Sequence, residues 1–580
     1  MSAYLNVECS LTGRRWIGPS PEVERQAEAI AQATSLPDVL TRELARRGVQ
    51  PHEAEAFLAP SLRELMPDPS SLKDMNIAAE RIFSALQSGQ RIAIFADYDV
   101  DGATSAAQLL TWFKALGTEA TLYIPDRLKE GYGPNDAAME TLGKAHDLII
   151  CVDCGTVAHG PVQVAVNQGA DVIILDHHLG GETLPPALAV VNPNRQDEVS
   201  EHTYLCAAGV VFLTLVAVNR HYRAANIATP PLLDMLDLVA LGTVADVAPL
   251  VGFNRALVRQ GLTVMAARGR PGLVALGDVA KISTAPRAYH LGYLLGPRIN
   301  AGGRIGKADL GARLLTTTDP HEAQALAERL NTLNSERREI EAQVQAAAEA
   351  QAEERGLDGP LVWAAGKGWH PGVVGIVAAR LKEKFNRPAV VIGISDEGLG
   401  HGSGRSVSGV DLGAEISNLA RDGAILKGGG HKMAAGLSVL EAEIEPAMAA
   451  LSEALGKQGA GTQGPRDLNI TATIGGATPE LIEQIEAAGP FGAGAPAPRF
   501  AIPSARIRFA KPAGESHLRL TVDNGGGPID IIAFRAFESE IGQALLNHAG
   551  KAFHFVGRLE IDEWGGRRKA KMQLEDAAIA

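Results

Sequence analysis

RIAIFADYDVDGATSAA, residues 91–107, decides how this chain is read. Its five apolar residues Ile92–Ala96 have the length and composition of a buried strand, and 103–116 reads as a helix. The turn between them carries Asp97, Asp99 and Asp101. Three carboxylates this close repel one another unless a cation sits among them. Oxygen-only donors suit a hard divalent ion such as Mg²⁺ or Mn²⁺. Taken alone, the same turn reads equally well as an acidic helix cap.

Downstream, strand, turn and helix repeat. Strands are expected at 120–124, Leu148–Val152 and 172–175, and helices at 135–144 and 159–168. Such alternation makes an α/β domain, a parallel sheet with helices on both faces. Ligands then bind beyond the carboxyl ends of the strands. Asp153 follows one strand, and Asp176, His177 and His178 follow the next. These turns share one edge of the sheet, and capping does not account for three strands ending in Asp, one with a His pair. Carboxylates and histidines gathered this way fit a two-metal phosphoesterase site. Asp246, in GTVADVAPL after an apolar helix, is a candidate further ligand.

Beyond it, GPRINAGGRIG at 296–306 sets Arg298 and Arg304 among glycines, a pattern suited to a phosphate or a carboxylate. Asp319-Pro320-His321-Glu322 starts a helix that can run to Arg355, with Gly356 as its stop. At 1.5 Å per residue this is a spacer of about 50 Å. A second α/β domain, 357–455, carries HGSGRS at 401–406 and GGGHKMAAG at 428–436. These clusters put Arg405, His431 and Lys432 beside backbone expected to be free to approach a phosphate. A linker at 456–466 leads to 467–580, which reads as short strands interrupted by one helix, 479–488, and hence as a small β-barrel. The barrel is rich in Arg and Lys, including Arg508, Arg519, Arg558, Arg567, Arg568 and Lys571. Phe509, Phe534, Phe537 and Trp564 offer stacking surfaces. Residues 1–90 look helical, a cap on the next domain.

Composition narrows the class. The 580 residues are 46% hydrophobic and call for several domains. No apolar run approaches a membrane span, and the N-terminus lacks a signal-peptide layout. Four cysteines make no disulfide framework, so a reducing cytoplasm is expected. Cys151 and Cys154 read as small packing residues. A net charge of −13 argues against a protein coated for DNA, although a basic groove can be local.

Nine motifs carry a family resemblance: ADYDVDGAT at 96–104, VDCG at 152–155, DHH at 176–178, GTVADVAPL at 242–250, PRINAGGR at 297–304, WHPGVVGIVAARL at 369–381, GSGRS at 402–406, GGGHKMAAG at 428–436 and PFGAGAP at 490–496. In this order they resemble the DHH phosphoesterase superfamily, and within it the single-strand-specific exonucleases. The resemblance implies a DHH domain at 91–318, a connecting helix at 319–356, a DHHA1 domain at 357–455 and an OB-fold barrel at 467–580. It implies two Mn²⁺ or Mg²⁺ ions. Asp99, Asp101, Asp153, His177 and Asp246 match metal ligands, Asp97 and His178 match ligands or their close supports, and Asp176 matches a support. Ser403 and Arg405 match a pocket for the 5′ end, joined by Arg298 or Arg304, and His431 matches a phosphate contact. Asn300 and His370 stand in matched motifs and join the expected substrate-binding set. The implied activity is a monomeric 5′→3′ exonuclease making 5′-mononucleotides from single-stranded DNA, in repair and recombination. A single-strand-binding protein and a RecQ-type helicase are the expected partners.

Three positions depart from the family pattern: Ala96 for Gly, Gly302 for Ala and Ala495 for Asn. None is a proposed ligand. Dinucleotide-specific members of the superfamily would not need a basic barrel. Haloacid-dehalogenase-like phosphatases carry D-x-D-G-T, one residue shorter than DVDGAT. Non-catalytic relatives lose motif acids that are all present here.

Overall fold

The run Ile92–Ala96 forms strand β1, buried at all five positions. In the computed structural model, which describes residues 3–127, 129–462, 464–563 and 568–580, β1 pairs with β2 (Thr121–Tyr123) on one side. On the other side follow β3 (Leu148–Val152), β4 (Asp171–Leu175) and β5 (Ala189–Val191). Every pairing is parallel. Both faces of this sheet are covered, so its strands are unbroken apolar runs rather than alternating ones. The register fixes what happens at its edge. Ala96 pairs with Val152, Val152 with Leu175, and Leu175 with Val191. The next residues, Asp97, Asp153, Asp176 and Asn192, therefore leave the sheet in one row. β5 and its Asn192 are not among the sequence expectations, because three residues in a Pro- and Asn-rich stretch carry no period.

Helix α1 (Val100–Ala115) starts directly after the acidic turn. Helices α2 (Ala207–Ala224) and α3 (Leu236–Ala245) pack against it. The segment expected to be a glycine loop is instead helix α4 (Gly296–Ile305), entered through a π-turn at Leu291–Leu295. Its amides are spent inside the helix, so they are not a phosphate cradle. The glycines serve close packing: a Cβ on Gly303 would lie 2.8 Å from the Tyr98 carbonyl oxygen. Helix α5 (Pro320–Arg355) is capped by Asp319, whose carboxylate accepts from the His321 N–H at 2.9 Å. It ends at Gly356 with φ 88°. Leu326, Leu330 and Leu333 join the first core, whereas Val344, Ala348 and Ala352 join the next one. The helix thus spans two cores.

The second sheet contains β6 (Val362–Lys367), β7 (Ala389–Ile394), β8 (Leu399–Arg405), β9 (Lys427–His431) and β10 (Ala434–Leu440), in the order β9-β10-β8-β7-β6. This corrects the reading of the two glycine clusters as free loops. They are strands with ladder bonds, Gly436 opposite Ser403 and Ala434 opposite Arg405. The glycines admit the helices α6 (Pro371–Phe385) and α7 (Leu412–Arg421) at close range. A Cβ on Gly404 would meet Leu412 at 2.6 Å.

The C-terminal barrel consists of β11 (Ala472–Thr473), β12 (Phe500–Ala513), β13 (His517–Asp523), β14 (Pro528–Ala533), β15 (Ala552–Asp562) and β16 (Lys569–Ile579). Pairing of β12 with β15 closes it. The short strands expected at 499–502 and 505–510 are a single one, β12, with irregularities at Ile502/Ala505 and Ile507/Phe509. A second helix, Glu540–Leu546, is added to the one expected. Much of the barrel's cationic supply is neutralised: Arg508 pairs with Asp523, Arg519 with Asp530, Arg558 with Glu575, Arg568 with Glu483 and Lys571 with Glu560. Phe509 and Phe534 are each 50% exposed. Trp564 and Arg567 lie outside the described residues.

The N-terminal region is more than a cap on its neighbour. Its strand Arg14–Ile17 pairs in parallel with Arg466–Asn469, where the expected linker gives way to the barrel segment. The indole N–H of Trp16 donates to Asp576 at 2.9 Å. Arg47 and Arg255 donate to the carbonyls of Ala488 and Gly489, at 3.1 and 2.8 Å. The first residues of the chain thereby tie the barrel to the first α/β domain.

Candidate metal centre and substrate cleft

The row of residues leaving β1, β3 and β4 builds the site. Asp99 caps α1, one carboxylate oxygen accepting from Asp101 N–H at 2.8 Å and Gly102 N–H at 3.1 Å. Cap and metal, alternatives in the sequence, are thus compatible, since capping uses a single oxygen. Asp101 is wholly buried, and its oxygens accept from the N–H groups of Ala207 and Ala208, at 2.7 and 2.9 Å, at the start of α2. Asn300 accepts from Val100 N–H at 3.1 Å, holding the acidic turn against α4. This places Asn300 under the turn rather than in a substrate track.

Donor atoms converge in three groups: Asp97, Asp99 and Asp153; Asp101, His177 and Asp246; and Asp153, His177 and His178. His177 Nε2 lies 3.2 Å from Asp153 and 3.7 Å from Asp101, and His177 Nδ1 lies 3.8 Å from Asp246. Asp176 stands apart. Its oxygens accept from Thr156 N–H (3.1 Å) and hydroxyl (2.6 Å), the N–H groups of His177 and His178 (2.7 and 3.2 Å) and the His178 ring (2.8 Å). Every one of these contacts is with a protein donor, so Asp176 orients the two histidines. Asn192 completes that frame, donating to Thr156 and to the His178 carbonyl at 2.8 Å each.

The electrostatics call for cations. Burial, with Asp99 alongside, pushes Asp97 well up; burial with Asp99, Asp101 and Asp97 does the same to Asp153. Burial raises Asp101 as well, against the pull of His177. Burial with Asp101 and Asp99 lifts Asp246 to about 9. Three buried atoms in the cluster have no hydrogen-bond partner: Asp97 Oδ1, Asp153 Oδ1 and His177 Nε2. Buried polar atoms are rarely left so. Carboxylates with one imidazole are a donor set that fits Mn²⁺ or Mg²⁺. His178 differs in kind. Burial opposes its charge, but the Asp176 hydrogen bond and charge lift it to about 9, while burial fails to keep Asp176 from lying well below the carboxylate range.

A pH dependence follows. In the metal-free protein Asp246 titrates near 9, against 3.8 when unperturbed. The folded state then holds more protons than the unfolded one between those values, so this contribution is complete below about pH 4 and falls as pH rises towards about 9. A divalent ion supplies the missing charge. The increase in Tm given by Mg²⁺ should therefore grow steadily from about pH 5 to about pH 8.5, as thermal melts with and without the ion would register.

Beside the acids lies a group of cations. Arg127 sits over the Tyr98 ring, 5.2 Å from its centroid. Arg304 donates to the Gly372 carbonyl of α6 at 2.9 Å, and burial together with Arg127 and Arg337 holds it down to about 10. Burial and Arg127 also lower Arg405 and His370. Arg405 donates to Ser403 Oγ at 3.0 Å, and Gly375 on α6 leaves them room, since a Cβ there would meet Ser403 Oγ at 3.0 Å and Arg405 Nη2 at 3.3 Å. Cations pressed against cations favour a bound anion. Between Arg298 and Arg304 the structure discriminates: Arg298 is not in this group but donates to Asn331 and the Leu294 carbonyl, at 3.0 and 2.7 Å. His431 is exposed on β9. Arg127 and Tyr132 are residues that sequence reasoning missed. The Tyr132 hydroxyl donates to the Asp153 carbonyl at 3.1 Å and lies 3.2 Å from the His178 ring nitrogens. Both stand in an aperiodic loop after β2, where only the residue types gave a signal.

The chain is similar to known proteins in sequence and in fold. Residues 91–243 match the DHH family N-terminal domain, 358–457 the DHHA1 domain and 468–576 the RecJ OB domain. The single-stranded-DNA-specific exonuclease RecJ of Dickeya dadantii is 37% identical over 565 residues, 93% of this chain and 96% of its own. That of Escherichia coli is 35% identical, over 96% and 98%. The crystal structure of RecJ from Thermus thermophilus in complex with Mn²⁺ superposes with a TM-score of 0.80 at 30% identity, covering 97% of this chain and 79% of that one.

Proposed function

The chain belongs to the RecJ family of single-stranded-DNA-specific exonucleases, and on that footing we propose that it removes 5′-mononucleotides from the 5′ end of single-stranded DNA. Its activity is metal-dependent, as the donor cluster requires and as structures of relatives with Mn²⁺ and Mg²⁺ indicate. The observation that carries the reading is the juxtaposition of unpartnered acid and imidazole atoms with the cations Arg127, Arg304 and Arg405 across Tyr98.

Asp97, Asp99 and Asp153 would hold one ion, and Asp101, His177 and Asp246 the other. When bound, such ions lower the pKa of water and offset charge on the phosphodiester. The chain does the remaining work. Asp176 fixes both histidines and keeps the partly exposed His178 cationic. Arg127, Arg304 and Arg405, with Ser403, take the terminal phosphate and hold the next phosphodiester against the acids. A site built for a doubly charged chain end sets polarity: cleavage proceeds from the 5′ end, with the 3′ oxygen leaving.

Both parts come from one chain, so a single copy holds the whole site, and a monomer is the proposed working form. No helix among the described residues is long and apolar enough to cross a membrane, and the reducing cytoplasm is the proposed compartment. Repair and recombination supply its substrate once a RecQ-type helicase has opened the duplex and a single-strand-binding protein has covered the strand. The test uses single strands labelled at the 5′ or the 3′ end, with Mn²⁺. Labelled mononucleotide should appear first from the 5′-labelled strand; prior release from the 3′ label would overturn the polarity.

A further inference from the structure

Tyr289 and Tyr293 have no part in the site described so far, yet they are 59% and 71% exposed. Their rings stack on each other at 5.1 Å with an interplanar angle of 24°. They stand at the π-turn Leu291–Leu295, whose Leu291 and Leu295 are buried and anchor it. π-Turns within helices recur at functional sites. This one sits next to the metal centre: a Cβ on Gly292 would touch Val244 at 3.4 Å, and one on Gly296 would touch Ala245 at 3.2 Å. Val244 and Ala245 are the two residues before Asp246. On the other side, Arg287 pairs at 2.9 Å with Glu486, on the helix Pro479–Ala487 that precedes the barrel. Arg298, left over from the cation group, bonds to the Leu294 carbonyl within the same turn.

We infer that Tyr289 and Tyr293 form a stacking platform for unpaired bases of the strand, 3′ of the cut, on its way between the metal centre and the barrel, with Arg298 beside them for a phosphate. Exposed aromatic rings alternating with cations are how single strands are held without regard to sequence, because every base has a π-face. The platform rests on the exonuclease reading above, since it supposes a strand longer than the catalytic site itself can hold.

The test compares the wild type with Tyr289→Ala/Tyr293→Ala and Tyr289→Phe/Tyr293→Phe, as full chains with Mn²⁺. The substrates are a 5′-phosphorylated strand of about 20 nucleotides and a 5′-phosphorylated dinucleotide, which cannot reach the platform. At about 1.4 kcal/mol of stacking, the Ala pair should raise KM for the long strand about tenfold with kcat unchanged. It should leave the dinucleotide unaffected, and the Phe pair should behave as wild type. Abasic sites along the strand should bring the wild type to the level of the Ala pair. Wild-type KM in the Ala pair, or an equal loss on both substrates, would overturn the platform. So would a dimeric wild type and a monomeric Ala pair in sedimentation, which would make the rings a subunit contact. If the wild type cut neither substrate, the exonuclease reading would fail instead, and filter binding of the long strand would still report on the rings.

Discussion

Asp153→Asn should reduce cleavage by roughly 10³-fold or more, the scale of losing a principal electrostatic contribution at a reacting phosphate, and should raise the Tm of the metal-free protein. The two effects have one cause. Asp153 is buried, and its Oδ1 faces His177 Nε2 at 3.2 Å without a hydrogen bond. It also stands in two of the three donor groups. Burial and four neighbouring carboxylates penalise its charge, so an amide removes repulsion when no metal is bound. Its backbone has φ 60°, a conformation that Asn adopts more readily than most residues, so the exchange adds no strain. Mg²⁺ or Mn²⁺ should stabilise the variant less than the wild type. Asp101→Asn is the instructive contrast. It should be equally inactive but less stable, by about 1–3 kcal/mol, because its oxygens accept two buried N–H groups that an amide cannot both serve. Activity assays and melts with and without metal separate the pair; an active Asp153→Asn would remove it from the metal site.

Arg405→Ala should lower kcat/KM on 5′-phosphorylated strands by roughly 10²-fold, as expected for about 2–3 kcal/mol of charge-assisted hydrogen bonding. On 5′-hydroxyl strands the loss should be much smaller. Arg405 already has one guanidinium nitrogen on Ser403 and on the Gly404 carbonyl. This orients the fork and leaves its other N–H groups for an anion. Arg405→Lys should not restore the preference, because an ammonium cannot reproduce the fork. Competition between the two kinds of strand end measures the effect directly, and an unchanged preference would move the terminal phosphate elsewhere.

The carboxyl edge of the first sheet was legible in the sequence because parallel strands with helices on both faces are unbroken apolar runs, and three of the runs here, β1, β3 and β4, are followed directly by an acid. The Asp319 cap and Gly356 stop of α5 were legible because helix ends have their own chemistry. Glycines misled. In β8, β9 and α4 they permit close packing of elements, which from sequence alone resembles a loop built for phosphate. The pairing of residues 14–17 with 466–469 was hidden because its two halves lie at opposite ends of the chain. Arg127, Tyr132 and Asn192 were hidden because residues in short strands and loops acquire their neighbours only once the sheet sets its register.

The central claim is that the row of acids and His177 at the sheet edge holds a pair of divalent ions. Calorimetric titration of Mn²⁺ into the metal-free protein tests it most directly. Two equivalents should bind to the wild type, with the one assigned to Asp97, Asp99 and Asp153 much weakened in Asp153→Asn. Absence of saturable binding to the wild type, or two undiminished equivalents in the variant, would contradict the claim.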